Sequence, residues 1–144
     1  MRRIVTAVAA TAVMTVIAAV PLRGLADVRP EIARIIATEK QTADAYQAEV
    51  TRFQNGRVDT AALARLIEHT IIPELHAATT RLKAIDGVPD EHRPLVANAA
   101  EYLRLRIESW RIRAQALHKS SELSLRKADA AEQKALEAFR KIAP

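Results

Sequence analysis

Two glutamates stand at positions where an amphipathic helix would normally carry an apolar side chain. Glu39 lies at the centre of the apolar stripe of a first predicted helix, and Glu132 at the centre of the stripe of a fourth. If the first and fourth helices are antiparallel, the first begins where the fourth ends. Both glutamates then lie at nearly the same height, about nine or ten residues from that end. Two bare carboxylates in an apolar interior would be strongly destabilising, so we expect a cation beside them.

Arg106 is the residue best placed to supply this cation. It lies at the edge of the apolar stripe of the third predicted helix, about one turn above the two carboxylates. Tyr102 lies one turn below Arg106, where its hydroxyl is expected to donate a hydrogen bond. We therefore predict a buried charge cluster whose members come from three helices: Glu39, Tyr102, Arg106, Arg113 and Glu132.

This cluster allows three interpretations. Inward carboxylates in a helical bundle can hold two metal ions, but such sites combine a Glu from two helices with Glu-x-x-His from the other two. The sequence contains no Glu-x-x-His, so we predict no metal site. The two interpretations that stay open are a structural ion pair that sets the register of the helices and a small polar ligand pocket.

The remaining polar residues predict no catalytic centre. His69 and His76 are separated by about 10.5 Å along a helix, too far to share one ion with bonds of about 2.1 Å, and both fall opposite the apolar stripe. With no cysteine in the chain there is no haem-attachment motif. The serines lack a Gly-rich turn, and three glycines cannot build a phosphate-binding loop. We predict no catalytic residues, no cofactor and no enzymatic activity.

Four segments carry a 3.6-residue apolar periodicity, and no segment alternates like a strand. They span about 30–54, 60–86, 92–119 and 121–142. Short connections between long amphipathic helices predict antiparallel neighbours. The expected fold of residues 27–144 is therefore all-α, an up-down-up-down four-helix bundle with Trp110 as a core aromatic residue.

Local signals define the ends of these helices. Asp59 or Thr60 is expected to cap the second helix, and Ser120 or Ser121 the fourth. Pro73 in the middle of the second helix predicts a kink, because proline removes one backbone hydrogen bond.

The first 26 residues have the pattern of a secretory signal. Arg2 and Arg3 precede an uncharged apolar run over 4–20, and Gly24 and Ala26 provide the small residues before a cleavage point. The alternative is an uncleaved anchor, because 17 apolar residues also reach the short limit for a membrane span. Both interpretations place residues 27–144 outside the cytoplasm, in the periplasm or secreted, or held at the inner membrane by residues 4–20.

Removal of the signal changes the charge. The chain carries 22 basic and 17 acidic residues; three arginines lie in the signal, which leaves 19 basic residues and a net charge of +2. On the third helix, Glu101 with Arg104 and Glu108 with Arg111 are spaced as i,i+3 ion pairs. A mixed surface of this kind argues against nucleic-acid binding.

The third helix also resembles a helical extension that follows the membrane domain in some bacterial rhomboid-family proteins. The resemblance covers about residues 46–138, including 71–75 and the turn at 87–89, and its clearest part is Tyr102, Leu105, Arg106, Trp110, Ala114, Ala116 and Leu117. The Gly-x-Ser motif and membrane histidine of the protease have no counterpart here, so the resemblance implies no protease activity. It implies an extracytoplasmic helical module that works beside a membrane or envelope protein.

From these observations we expect an exported, non-enzymatic module for protein–protein interaction in the cell envelope. A periplasmic binder of small ligands, using the interior Glu, Arg and Tyr groups, is the alternative. The membrane is expected to be contacted only through an uncleaved N-terminal segment.

Cleavage after Ala26 is tested by the mass of the protein recovered from the producing cell. Removal of 26 of the 144 residues leaves 118 residues that begin with Asp27, because signal peptidase cuts after a small-x-small pattern. Intact-mass spectrometry of the exported fraction should find this species. A full-length chain in the membrane fraction would instead support the anchor.

Overall fold

The computed structural model describes residues 26–144, and within them the chain is helical, with turns between the helices and no strand. The predicted signal segment, apart from Ala26, lies outside the described residues. We name four helical segments: α1 (Arg29–Gln54), α2 (residues 60–83, in three parts described below), α3 (Arg93–Lys119) and α4 (Glu122–Phe139). A short 3-10 turn, Asp90–His92, precedes α3. The all-α prediction is confirmed for this part of the chain.

Side chains cap two of these helices. The Asp59 Oδ1 accepts a hydrogen bond from the backbone N–H of Ala62 at 2.9 Å at the start of α2. The Ser121 hydroxyl oxygen accepts one from the N–H of Ser124 at 3.3 Å at the start of α4. Ser120 instead ends α3 in a left-handed conformation, with φ of 47°. Of the two alternatives at each start, Asp59 and Ser121 are therefore the capping residues.

At Pro73, where the sequence predicts a kink, the structure has a π turn just before the proline. The segment α2 consists of Thr60–Leu66, the π turn Ile67–Ile71, and Ile72–Lys83. The N–H of Ile72 donates to the carbonyl of Ile67, five residues earlier. Because Pro73 has no N–H to continue the regular α pattern, a wider turn accommodates it without ending the helix.

The helix α3 is the centre of the structure, since it packs against every other segment. Its buried residues include Tyr102, Leu103 and Trp110. The helix α4 packs mainly against α3, through the small buried side chains of Ala128 and Ala135. Small residues allow two helices to approach closely, so this pair forms the most extensive contact in the fold. The buried position of Trp110 agrees with its predicted core role.

The buried face of α1 differs in phase from the prediction. The 3-4 spacing of apolar residues along this segment predicts that Ile36 and Phe53 face inward. Ile35 is instead fully buried and Ile36 only half-buried, and Phe53 is 40% exposed. Residues 51–57 are all exposed, so the last turn of α1 extends beyond the elements that would cover it.

The cap of α2 generates a stability prediction. Asp59→Ala removes the acceptor for the Ala62 N–H and should lower the free energy of unfolding by about 1 kcal/mol, measured by urea denaturation. Asp59→Asn is the matched control, because the asparagine oxygen can accept the same hydrogen bond. Equal losses in both variants would show that the charge of Asp59, and not its capping bond, stabilises the helix start.

Candidate functional site

Arg106 is the centre of an interior charge cluster. Its side chain extends from α3 and the residue is only 2% exposed. Its Nε donates to the Glu39 Oε2 at 3.0 Å and its Nη2 to the Glu39 Oε1 at 2.8 Å, which makes a bidentate pair with α1. Its Nη1 donates to the Glu132 Oε1 on α4 at 2.8 Å. One guanidinium therefore joins carboxylates from two other helices.

Two aromatic side chains of α3 enclose this ion pair. The Tyr102 hydroxyl donates a hydrogen bond to the Glu39 Oε2. The guanidinium carbon of Arg106 lies 4.6 Å from the centre of the Trp110 ring, a cation–π distance. Tyr102 also packs against Phe139 of α4, with ring centres 5.1 Å apart. Glu39, Tyr102 and Arg106, which form the inner half of the cluster, are all buried.

Arg113 extends the cluster towards solvent. Its Nη2 donates to the Glu132 Oε2 at 2.8 Å and to the Asp129 Oδ1 at 2.7 Å. Its guanidinium carbon lies 5.9 Å from the centre of the Tyr46 ring on α1. The structure thus brings together all five residues named from the sequence and adds Asp129. Asp129 was missed because it lies one turn before Glu132, outside the apolar stripe of α4.

Burial and charge act on the same groups in opposite directions. Burial opposes the charged form of Arg106, but the Glu39 carboxylate beside it more than compensates and raises the pKa of the guanidinium. Burial, together with the negative charge of Glu39, raises the pKa of the Tyr102 hydroxyl well above its ordinary value. Tyr102 therefore remains a neutral hydrogen-bond donor and Arg106 a cation.

A cleft of about 280 Å³ opens beside the cluster, between α1, α3 and α4. Its lining includes Tyr46, Gln47, Arg106, Trp110, Arg113, Asp129 and Glu132. The Trp110 Nε1 is buried and has no hydrogen-bond partner in the described chain. Direct Glu–Arg contacts and an adjacent cleft therefore occur together, so the geometry is compatible with both the structural and the ligand-binding interpretation.

A second buried ion pair was not anticipated from the sequence. Glu31, in the first turn of α1, accepts from the Arg81 Nε on α2 at 2.9 Å and is nearly fully buried. Glu31, Ile35 and Glu39 recur at four-residue spacing along α1. This spacing was the signal available in the sequence, because residues four apart lie on adjacent turns of one helix face.

His69, His76 and His118 are exposed on α2 and α3, as expected for His69 and His76, whereas His92 lies half-buried in the 3-10 turn before α3. The His118 Nε2 lies 2.9 Å from the Glu68 Oε1, and the His76 Nε2 lies 3.4 Å from the Arg111 Nη2. Within residues 26–144, no group of three or more His, Asp or Glu residues is arranged to hold a metal ion.

One of the two ion pairs predicted along α3 forms. Arg104 donates to Glu101 at 2.7 Å and 2.9 Å. The prediction for Glu108 and Arg111 is wrong in the described structure, since no ion pair joins them and the Arg111 guanidinium lies against His76. The side chain of Arg111 can reach across to α2, and this contact replaces the local pair.

Comparisons of the chain with known protein families, with curated proteins and with solved structures find no match. The cluster must therefore be interpreted from its own geometry.

The cluster predicts a large effect of one substitution. Arg106→Leu should lower the free energy of unfolding by about 3 kcal/mol, because it leaves the buried Glu39 carboxylate without its counter-charge. Urea denaturation followed by circular dichroism measures this loss. Arg104→Leu is the matched control, since Arg104 is exposed on the same helix and its loss should leave stability nearly unchanged.

A loss below about 0.5 kcal/mol in Arg106→Leu would show that water solvates the cluster. The double variant Glu39→Leu/Arg106→Leu should recover part of the lost stability, because it removes the stranded carboxylate as well.

Proposed function

We propose that this chain is an exported, non-enzymatic helical module that binds another protein in the cell envelope. One observation carries the proposal: the carboxylates drawn into the interior are each neutralised by an arginine of the same chain. Glu31 pairs with Arg81, and Glu39 pairs with Arg106. Their charges are satisfied within the chain, so the side chains available to a protein partner are those on the surface.

The proposal includes an up-down-up-down order of the four helices. Contacts between distant residues support it. Glu31 near the start of α1 meets Arg81 near the end of α2, and Glu68 in the first half of α2 meets His118 near the end of α3. Such pairs join the start of one helix to the end of the next, as antiparallel neighbours require.

The proposal also includes export, with residues 1–26 as a cleaved signal or, alternatively, residues 4–20 as an anchor in the inner membrane. Val28, the first buried residue of the described chain, lies two residues after the proposed cleavage point, so cleavage there would leave the described core complete. No helix within residues 26–144 has the length and apolar character needed to cross a membrane. The likeness of α3 to rhomboid-associated extensions favours a partner at the membrane.

Two large apolar side chains are available for a partner. Leu123, at the start of α4, is 66% exposed, and Phe53, at the end of α1, is 40% exposed. In the proposed helix order both lie at the same end of the fold, since α1 and α3 end where α4 begins. Exposed apolar side chains at one end of a small domain suit a protein interface.

Site-specific photocrosslinking in the producing cell tests the partner hypothesis. A photoreactive residue at Leu123 or at Phe53 should give a discrete crosslinked species after irradiation, because both side chains project from the proposed interface. The same residue at Ala33, exposed in the first half of α1, is the control and should give none. Absence of an adduct at both test positions, or equal adducts at all three, would contradict the proposal.

A second function is favoured by a separate observation. The cleft beside Arg106 is lined by the charged side chains of Arg113, Asp129 and Glu132, and this lining favours a periplasmic binder of small polar ligands. The two functions are distinguished by what the purified protein binds: the first requires a macromolecule, and the second requires only a small molecule.

A further inference from the structure

We infer that the end of the fold formed by residues 49–68 and 115–128 binds an acidic surface of the partner protein. This partner is the protein required by the first of the two functions above, so the assignment rests on that function and adds the chemistry of the surface that is recognised. Two different features of this end support it, namely its exposed apolar side chains and its unpaired cations.

Contacts of Arg113 relate the height of Phe53 on α1 to that of Leu123 on α4. The guanidinium carbon of Arg113 lies 5.9 Å from the centre of the Tyr46 ring, and its Nη2 donates to the Asp129 Oδ1 at 2.7 Å. Phe53 follows Tyr46 by seven residues, about 10.5 Å along α1. Leu123 precedes Asp129 by six residues, about 9 Å along α4. In the proposed antiparallel order these displacements have the same direction, so Phe53 and Leu123 lie at nearly the same height.

Both side chains are exposed although they are apolar. Leu123 is 66% exposed and Phe53 is 40% exposed, and no other large apolar side chain in the described part of the chain is as exposed. Apolar side chains surrounded by polar and charged ones are the usual composition of a protein interface. A partner that covers this end therefore needs apolar groups at its centre.

The acids at this end are already paired within the chain. Residues 49–68 and 115–128 contain four acids, Glu49, Asp59, Glu68 and Glu122. Each of their carboxylates lies 4.0 Å or less from a nitrogen of a basic side chain of the same chain. No acid at this end is therefore left to attract a basic partner.

Three cations at the same end have no acid beside them. Arg57, Lys119 and Lys127 are exposed, and none of them forms an ion pair within residues 26–144. Arg57 is held near Phe53, because its backbone N–H donates at 2.9 Å to the carbonyl five residues earlier, across the turn that ends α1. Lys127 follows Leu123 by four residues, on the same face of α4. Each exposed apolar side chain therefore has an unpaired cation next to it.

An acidic surface on a protein matches this arrangement. Its carboxylates would pair with the three cations while its apolar groups cover Phe53 and Leu123, whereas a basic partner would be repelled by the same cations. A bilayer of anionic lipids would also attract the cations, but its continuous negative charge would lie against the four acids as well. A protein can place its acids opposite the cations alone.

Charge reversal tests the sign of the partner surface. The photoreactive residue at Leu123 is combined with Arg57→Glu, Lys119→Glu and Lys127→Glu in one chain. The yield of the crosslinked species, relative to the uncrosslinked protein in the same fraction, should fall at least tenfold, because three attractions become repulsions.

The matched control combines Lys83→Glu, Lys134→Glu and Arg140→Glu with the same photoreactive residue. Like the first three cations, these are exposed and occupy the last residue of a helix, a position within α4 and a position just after a helix. They lie outside residues 49–68 and 115–128, so the crosslinking yield should equal that of the parent although the net charge changes by the same amount. Circular dichroism checks that both variants are folded.

Glutamine at the same three positions, Arg57→Gln, Lys119→Gln and Lys127→Gln, is a milder set that should lower the yield at least threefold and decides the question if the glutamates unfold the protein. A yield equal to the parent's, or an equal loss in the control, would overturn the acidic partner surface while keeping a protein partner. No crosslinked species at Leu123 in the parent would overturn the proposed interface itself.

Vesicles separate a lipid surface from a protein surface. The purified exported protein should not sediment with phosphatidylglycerol vesicles any more than with phosphatidylcholine vesicles. Binding to phosphatidylglycerol vesicles alone, abolished by the three charge reversals at Arg57, Lys119 and Lys127, would assign this end to an anionic membrane and overturn the protein surface.

Discussion

The bidentate pair between Arg106 and Glu39 is the interaction on which the arrangement of the helices depends. A guanidinium that is 2% exposed is stable only if its hydrogen bonds are made inside the protein, and two of its nitrogens bond to one carboxylate on α1. This geometry permits one register of α1 against α3. A slip of one helical turn would move the two groups about 5.4 Å apart and leave both charges buried and unpaired. The pair therefore selects the register more than it adds stability.

The same guanidinium also determines how α4 is placed. Its third nitrogen reaches Glu132, and Arg113 holds the other oxygen of the same carboxylate, so two arginines of α3 fix one residue of α4. The charged side chains of this cluster hold α1 and α4 apart, on either side of the two arginines. Apolar side chains at the same height would have allowed α1 and α4 to pack closer together. The cleft beside the cluster is a consequence of this spacing. The ion pairs and a cleft lined by charged side chains thus arise from one set of residues.

Much of the fold was predictable, because helix periodicity and caps are local. The segments near 30–54 and 92–119 match α1 and α3 closely, and Asp59 was among the named caps. The predictions that were wrong concern side chains whose surroundings depend on other helices and not on the local sequence pattern. Phe53 belongs to a regular apolar series, yet it lies in the exposed last turn of α1 and is 40% exposed. Arg111 has a suitable acid three residues away, yet its side chain lies against α2.

The sequence by itself determined that Glu39 and Glu132 lie on apolar helix faces and would need a counter-charge. Glu39 within an apolar stripe demands a cation, and the spacing of α3 offers Arg106. Only the tertiary structure decided which acids share that cation, that Asp129 joins through Arg113, and that Glu31 finds Arg81. The reason is physical. Periodicity reports the direction of a side chain from its own helix axis, whereas an ion pair depends on the relative height and rotation of two helices, which packing of the whole core sets.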